Sequence, residues 1–321
     1  MDLIKNTFWN PKKHRIGFFA VVCATIILAF CPAFTQPYTT ILLASILMYV
    51  IMSLAWTIFS GKTGYISLAS AAFYGLGVYG EAILGSFIPL PLVMVLSAGL
   101  CFCVAFGIGA ITLRLRGVYF TIFTFGLALL LQNFVLWFEI KFYHTKGRMV
   151  VPYEFRYVFY CILVVFVVSI LVAMLMKQSG FGLALDCIGL NEDSAAHAGV
   201  NTTMYKILAF AISAAPVGAV GAAMATRVGY IDPGIAFNML MSFMPVLMAI
   251  FGGTHNICGP ILGAVALSMI EEILIRNYQE YYMIILGLIM VVAIILMPKG
   301  IVGMFTSVIE KRGKLVGGGA P

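Results

Sequence analysis

The 321-residue chain is 62% hydrophobic and 10% charged, with a net charge of +7. An ordinary soluble domain is about 25% charged, and a globule this apolar would leave much of its oily surface wet. The composition excludes a soluble protein and calls for a bilayer, in which every backbone polar group must be satisfied within the chain.

The apolar runs are about 20 residues long and lack period-two alternation, which selects helices over a closed barrel. The expected fold is therefore all-α, a polytopic integral membrane protein forming one domain over residues 1–321. The basic residues are scattered between apolar runs with no continuous basic face, so nothing points to nucleic acid. The seven cysteines include no CxxC pair and sit mostly inside apolar runs, where they read as small apolar residues.

In chain order, about ten spans are predicted from the apolar runs, starting near Ile16, Thr39, Tyr65, Pro91, Val118, Tyr157, Lys206, Phe237, Gly259 and Tyr281. The first follows Lys12, Lys13, His14 and Arg15 and reads as a retained signal-anchor. The run from Tyr65 is glycine-rich and is a candidate for a broken or re-entrant helix. Alternating spans from a cytoplasmic N-terminus place Lys62, Arg114, Arg116, Lys177, Lys206 and Lys299 inside. The same scheme puts Lys141, Lys146, Arg148, Arg156, Arg227 and Arg276 outside, and both termini in the cytoplasm. The tail, about residues 305–321, is glycine-rich and expected to fray.

Two connections exceed a simple turn. The outer one runs from about Glu139 to Arg156. The cytoplasmic one, about residues 178–204, contains a predicted short helix from Asn191 to Val200. Asn191 or Asp193 can cap its N-terminus, Glu192 and Asp193 suit the positive end of its dipole, and Gly199 is placed to end it in the left-handed conformation. Ser194, Ala195, Ala196 and Ala198 give it a small-faced surface that another backbone can approach closely. A force-transmitting contact and a plain surface turn are both open readings of it.

Within the membrane, Thr63 to Gly80 (TGYISLASAAFYGLGVYG) combines close-packing glycines and alanines with the hydroxyls of Tyr65, Ser67, Ser70, Tyr74 and Tyr79. In Leu113 to Asn133, Tyr119, Thr121, Thr124 and Gln132 are spaced to line a polar path. Intramembrane hydroxyls more often bond their own helix backbone. Glu81 is a functional candidate because a carboxylate at that depth is costly unless paired or wet. His255 stands without a second ligand nearby in sequence. The one GKT, Gly61 to Thr63, is not a phosphate loop, because the glycine that pattern needs is Trp56 here. No constellation of catalytic residues is present, so the chain reads as a transport subunit and not an enzyme.

Several segments carry a resemblance to a known family. GYISLASAAFYGLGVY (Gly64 to Tyr79), LRLRGVYFTIFTFG (Leu113 to Gly126) and the long GLALDCIGLNEDSAAHAGVNTTMYKILAFAISAAPVGAVGA (Gly182 to Ala222) resemble the permeases of branched-chain amino acid ABC importers, specifically their LivM-type member. FGGTHNICGPILGA (Phe251 to Ala264) and MPKGIVG (Met297 to Gly303) extend the likeness in family order. The resemblance implies a cell inner-membrane permease paired with a homologous second permease. It further implies two cytoplasmic ATP-binding-cassette ATPases, which use ATP and magnesium while this chain binds no cofactor, and an extracytoplasmic substrate-binding protein. It implies that Ile188, Glu192, Asp193, Ala195, Ala196 and Gly199 meet the ATPases. It also assigns Tyr65, Ser67, Phe73, Tyr119 and Thr121 to the translocation path, to which Thr124 and Glu81 are added from their chemistry.

The chain departs from the pattern in the outer loop. The family usually carries a TGG-type stretch with an aspartate there, and this chain reads FYHTKGRMVVPY (Phe142 to Tyr153). Relatives of the same architecture are known for urea, amides and other small polar solutes, so the solute stays open. Lys146, Arg148 and Arg156 are candidates for docking a binding protein. A stand-alone secondary transporter or channel is the alternative, with Glu81 as its ion-coupling residue.

Overall fold

The computed structural model describes residues 25–32, 36–115, 117–254, 256–296, 300, 301 and 303. Of the predicted span from Ile16 the structure describes residues 25–32, which are helical; Arg116, His255, Lys299, both termini and the tail lie outside the described residues. So does the expectation that the termini are cytoplasmic.

Among the described residues the fold is all-helical apart from one two-residue ladder. Helix α1 (Pro37–Thr63) starts at a proline, whose missing N–H is an orphan there anyway. It ends at Gly64, whose positive φ of 74° lets its N–H return to Ser60 O. A non-helical stretch, 64–69, then leads into α2 (Ser70–Leu84). Helix α3 (Leu90–Thr112), α4 (Val118–Tyr143) and α5 (Phe155–Gln178) follow. Two short helices come next, α6 (Gly180–Leu190) and α7 (Glu192–His197), then α8 (Thr202–Ala225). The chain continues through α9 (Pro233–Ala236), α10 (Leu240–Gly252), α11 (Cys258–Asn277) and α12 (Tyr282–Leu296).

Seven helical segments among the described residues are long and apolar enough to cross a membrane; the ten expected runs also include the one from Ile16, most of which lies outside the described residues, and those from Tyr65 and Tyr281, whose helices have 15 residues each. The run from Tyr65 is broken as anticipated, since its helix begins only at Ser70 and has 15 residues. The apolar stretch Pro233–Gly252 is interrupted too, which the sequence did not reveal: the four-residue α9 precedes the predicted start at Phe237, and the 13-residue α10 follows it. At about 1.5 Å per residue, neither α2 nor α10 alone spans a hydrocarbon core of about 30 Å.

Burial separates core from perimeter. The apolar windows of α1 and α8 are 72% and 78% buried, against 22% for α4. A helix apolar on all sides belongs inside, and α8 adds small residues that let its backbone touch those of its neighbours. A Cβ on Gly77 of α2 would strike Gly218 O of α8, so these two helices meet backbone to backbone. Hairpin α10–α11 packs against α1 on another side.

Side-chain contacts define two ends. At one, Lys62 pairs with Asp186 (2.7 Å), Lys177 donates to Asn256 Oδ1 (3.5 Å) and Lys206 pairs with Glu192. At the other, strands β1 (Arg148–Met149) and β2 (Tyr230–Ile231) pair antiparallel, with Arg148 opposite Ile231. The basic residues Lys62, Lys177 and Lys206, which charge counting put on one side, share one end of the molecule.

Candidate functional site

The site is built around the break between α1 and α2. A non-helical segment at membrane depth exposes backbone groups that no water can satisfy, and such a break is tolerated only where protein supplies the partners. Here side chains from two other helices, α4 and α10, and from the flanking helix α1 supply them. Thr121 Oγ1 of α4 donates to Ile66 O (2.9 Å). Thr124 Oγ1, three residues on, accepts from Leu68 N–H (3.0 Å). Trp56 Nε1 of α1 donates to Ser67 O (2.9 Å), and Ser60 Oγ accepts from Ser67 N–H (3.2 Å). Ser242 Oγ, in the first turn of α10, donates to Leu68 O (2.6 Å) and accepts from Ala71 N–H (3.1 Å). The starts of the two short helices α2 and α10 thus meet through one hydroxyl.

At the segment's other end stands a buried ionic cluster. Lys206 of α8 is 2% exposed, and its Nζ lies 2.5 Å from Glu192 Oε1 at the start of α7. Tyr65 Oη donates to Glu192 Oε2 (2.5 Å). The same ammonium donates to Leu113 O past the end of α3 (3.5 Å) and lies 4.7 Å from the centre of the Tyr65 ring. Burying a lone ammonium costs several kcal/mol, roughly, so it persists only with such a set of partners. Helix α7 itself forms as its cap residues dictate. Asn191 Oδ1 accepts from Ser194 N–H (2.9 Å), and Gly199 takes a positive φ of 86°.

The predicted site residues fall into distinct groups. Tyr65, Ser67, Thr121 and Thr124 are brought together at the break, where the threonine hydroxyls hold its backbone. Phe73 is buried with its ring 5.5 Å from that of Phe210. Tyr119 is 74% exposed on the outward face of α4. Glu81 is not part of the cluster. It is 1% exposed near the far end of α2, and neither carboxylate oxygen has a hydrogen-bond partner among the described residues. In the cytoplasmic-loop group, Asp193, Ala196 and Gly199 are exposed, Glu192 is half-buried, and Ile188 and Ala195 are buried. The last two seat the segment instead of presenting it. In the outer loop, Lys146 and Arg156 are exposed. Arg148 turns inward to the buried Glu139 (Nε to Oε1, 3.3 Å), which also accepts from Gly147 N–H (3.0 Å).

Sequence reasoning missed Trp56, Ser60, Ser242, Glu139 and the role of Lys206. The available signal was Lys206 and Glu139 inside otherwise apolar runs, where an ionisable group marks function by default. Lys206 was read only as an orienting charge.

A void of about 10 Å³ lies behind the break, lined by Trp56, Ser60, Ser67, Ser70, Phe73 and Ser213, room for roughly one water. A larger space of about 550 Å³ is a groove between α3 and α5, walled by Met94, Phe102, Val164, Val168 and Pro216. Its apolar walls offer nothing to a polar solute.

A polytopic helical membrane protein with two discontinuous helices that meet through one hydroxyl, joined to a capped helix at one end of the bundle, has the architecture of a transport permease. The family model described as "branched-chain amino acid transport system / permease component" matches residues 38–294, and the chain belongs to that family. The high-affinity branched-chain amino acid transport system permease protein LivM of Salmonella typhimurium is 28% identical, over 80% of this chain and 68% of the relative. LivM of Escherichia coli is 27% identical over 88% of this chain and 74% of the relative. The autoinducer 2 import system permease protein LsrC of Salmonella paratyphi B is 30% identical over 34% of this chain and 33% of its own length. No solved structure matches the chain.

Proposed function

We propose that the chain is the membrane-spanning permease of an ATP-driven importer in a bacterial inner membrane, moving a small polar solute inward by alternating access. Branched-chain amino acids are the first solute class to test, on the strength of the family; urea and amides come second. The observation that carries the reading is the short helix α7, capped at a membrane face and tied through Glu192 to the broken helix. Separate ATPase subunits dock on the exposed residues Asp193, Ala196 and Gly199, and a binding protein docks outside near Lys146 and Arg156.

The void behind the break, about 10 Å³, is too small to pass a solute, which supports a route alongside the chain, against a second permease. The outward face of α4 suits that wall. Tyr119 and Asn133 are exposed on it, and Asn133 sits mid-helix where lipid is a poor neighbour. Small movements of the break, which Thr121 and Thr124 tie to α4, would then reach the route directly.

Affinity purification of the chain from its native membrane in mild detergent tests this reading. Recovery of a second permease and two ATPases is the expected result, with the solute then read by calorimetry on the co-purified binding protein. A second reading, a stand-alone ion-coupled transporter, draws on the buried and unpartnered Glu81. It predicts recovery of the chain alone, with solute uptake in vesicles that needs no ATP.

A further inference from the structure

We infer that Lys206 is the positioning residue through which α7 drives the break between α1 and α2, an inference that rests on the importer reading. Lys206 stands on α8, in the rigid core, and touches neither solute nor ATPase. Its ammonium nevertheless contacts three other elements. It meets Glu192 on α7 (2.5 Å), Tyr65 Oη in the non-helical segment (3.4 Å) and Leu113 O at the end of α3 (3.5 Å). Glu192 completes the triangle by accepting from Tyr65 Oη (2.5 Å).

The energetics make this a stiff link. Lys206 is 2% exposed, so Glu192 and Tyr65 supply the partners that water does not, and a shift of α7 away from it uncouples a buried charge. A buried charge that loses its partner is strongly disfavoured, much more so than a surface ion pair. Displacement of α7 by an ATPase therefore cannot leave the pair behind. Either Tyr65 and its segment follow Glu192, or α8 does. The core packing of α8 against α1, α2 and α3 resists the second. The non-helical segment has no helical hydrogen bonds of its own to break and yields first. It moves as a unit, because side-chain hydrogen bonds, one at Ile66 and two each at Ser67 and Leu68, hold it and can re-form in another register.

A charged pair also transmits in both directions, pull as well as push, which the apolar seating of Ala195 and Ile188 does not. The coupling free energy typical of linked sites corresponds to a change of roughly 5- to 150-fold between them.

The test uses the intact complex of permeases and ATPases. Ile66→Cys, at an exposed position of the segment, is labelled with a membrane-impermeant maleimide and quantified by mass spectrometry at that position. Labelling is compared with and without vanadate trapping of the ATPases, a readout that needs no knowledge of the solute. In the otherwise native complex, trapping should change labelling at least about fivefold. Lys206→Met should abolish that change while ATP hydrolysis and subunit recovery persist. The exchanged pair Lys206→Glu with Glu192→Lys should restore it. An unaltered response in Lys206→Met overturns the inference. If Lys206→Met fails to assemble, the exchanged pair decides: restoration supports the link, and an assembled but unresponsive complex refutes it. A native complex that hydrolyses ATP without any labelling change also overturns it, leaving the importer reading intact. Failure of ATPases to associate at all overturns that reading instead.

Discussion

Ser242 condenses the chemistry of the break into one hydroxyl. It donates to Leu68 O and accepts from Ala71 N–H, and it is fully buried. Ser242→Ala leaves both backbone groups unpaired where no bulk water reaches, and the cost is about 1–3 kcal/mol. The expected outcome is a lower melting temperature in detergent together with reduced uptake by the assembled importer. A variant that melts like the native protein would show that another group satisfies Leu68. Residue-scale legibility was uneven. Thr121 and Thr124 were visible as a polar pair whose alternative was bonding their own helix; Thr124 does so to Thr121 O, yet both also reach the backbone of the break. Ser242 was invisible, because its partners are 174 and 171 residues away.

Helix α7 is the element most completely written in the local sequence. Its cap, acidic first turn and terminating glycine act within a few residues, and all three are found where the sequence put them. Its orientation was not legible: Ala195 faces the body and Ala196 faces outward. Ala196→Trp should therefore leave insertion and melting unchanged and abolish uptake, as measured in reconstituted vesicles. Ala195→Trp should lower the melting temperature as well, since overpacking a buried site costs about 1–3 kcal/mol. The pairing of α2 with α8 follows the same logic in the core. Gly77 abuts Gly218 O, and Gly221 abuts Tyr74 O, so neither helix has room for a side chain at the crossing. Gly77→Val should push them apart, at a cost of at least about 1–3 kcal/mol, with a fall in both melting temperature and yield of folded protein.

For the whole molecule, the void behind the break, about 10 Å³, sets a clear expectation. The chain reconstituted alone in liposomes should show no counterflow of leucine above empty liposomes. Measurable counterflow would mean that the chain carries its own path. The end that carries the ladder β1–β2 is tied independently, by that ladder and by Glu139, whose carboxylate holds Arg148 and Gly147.

The sequence by itself determined that this protein is a bundle of apolar helices in a membrane, that the run after Gly64 is weak, and that a capped helix stands in the loop before Asn201. Those properties depend on composition, periodicity and contacts within one or two helical turns. Only the tertiary structure decided that a second run, Pro233–Gly252, is also broken. It alone joined that run to the first through Ser242, turned Arg148 inward onto Glu139, and made Lys206 a junction of four elements. The physical reason is that a backbone carbonyl left open at a break, or an ammonium buried in a helix bundle, has no preferred partner along the chain. Its partner is whichever group the packing of distant helices brings within hydrogen-bond reach.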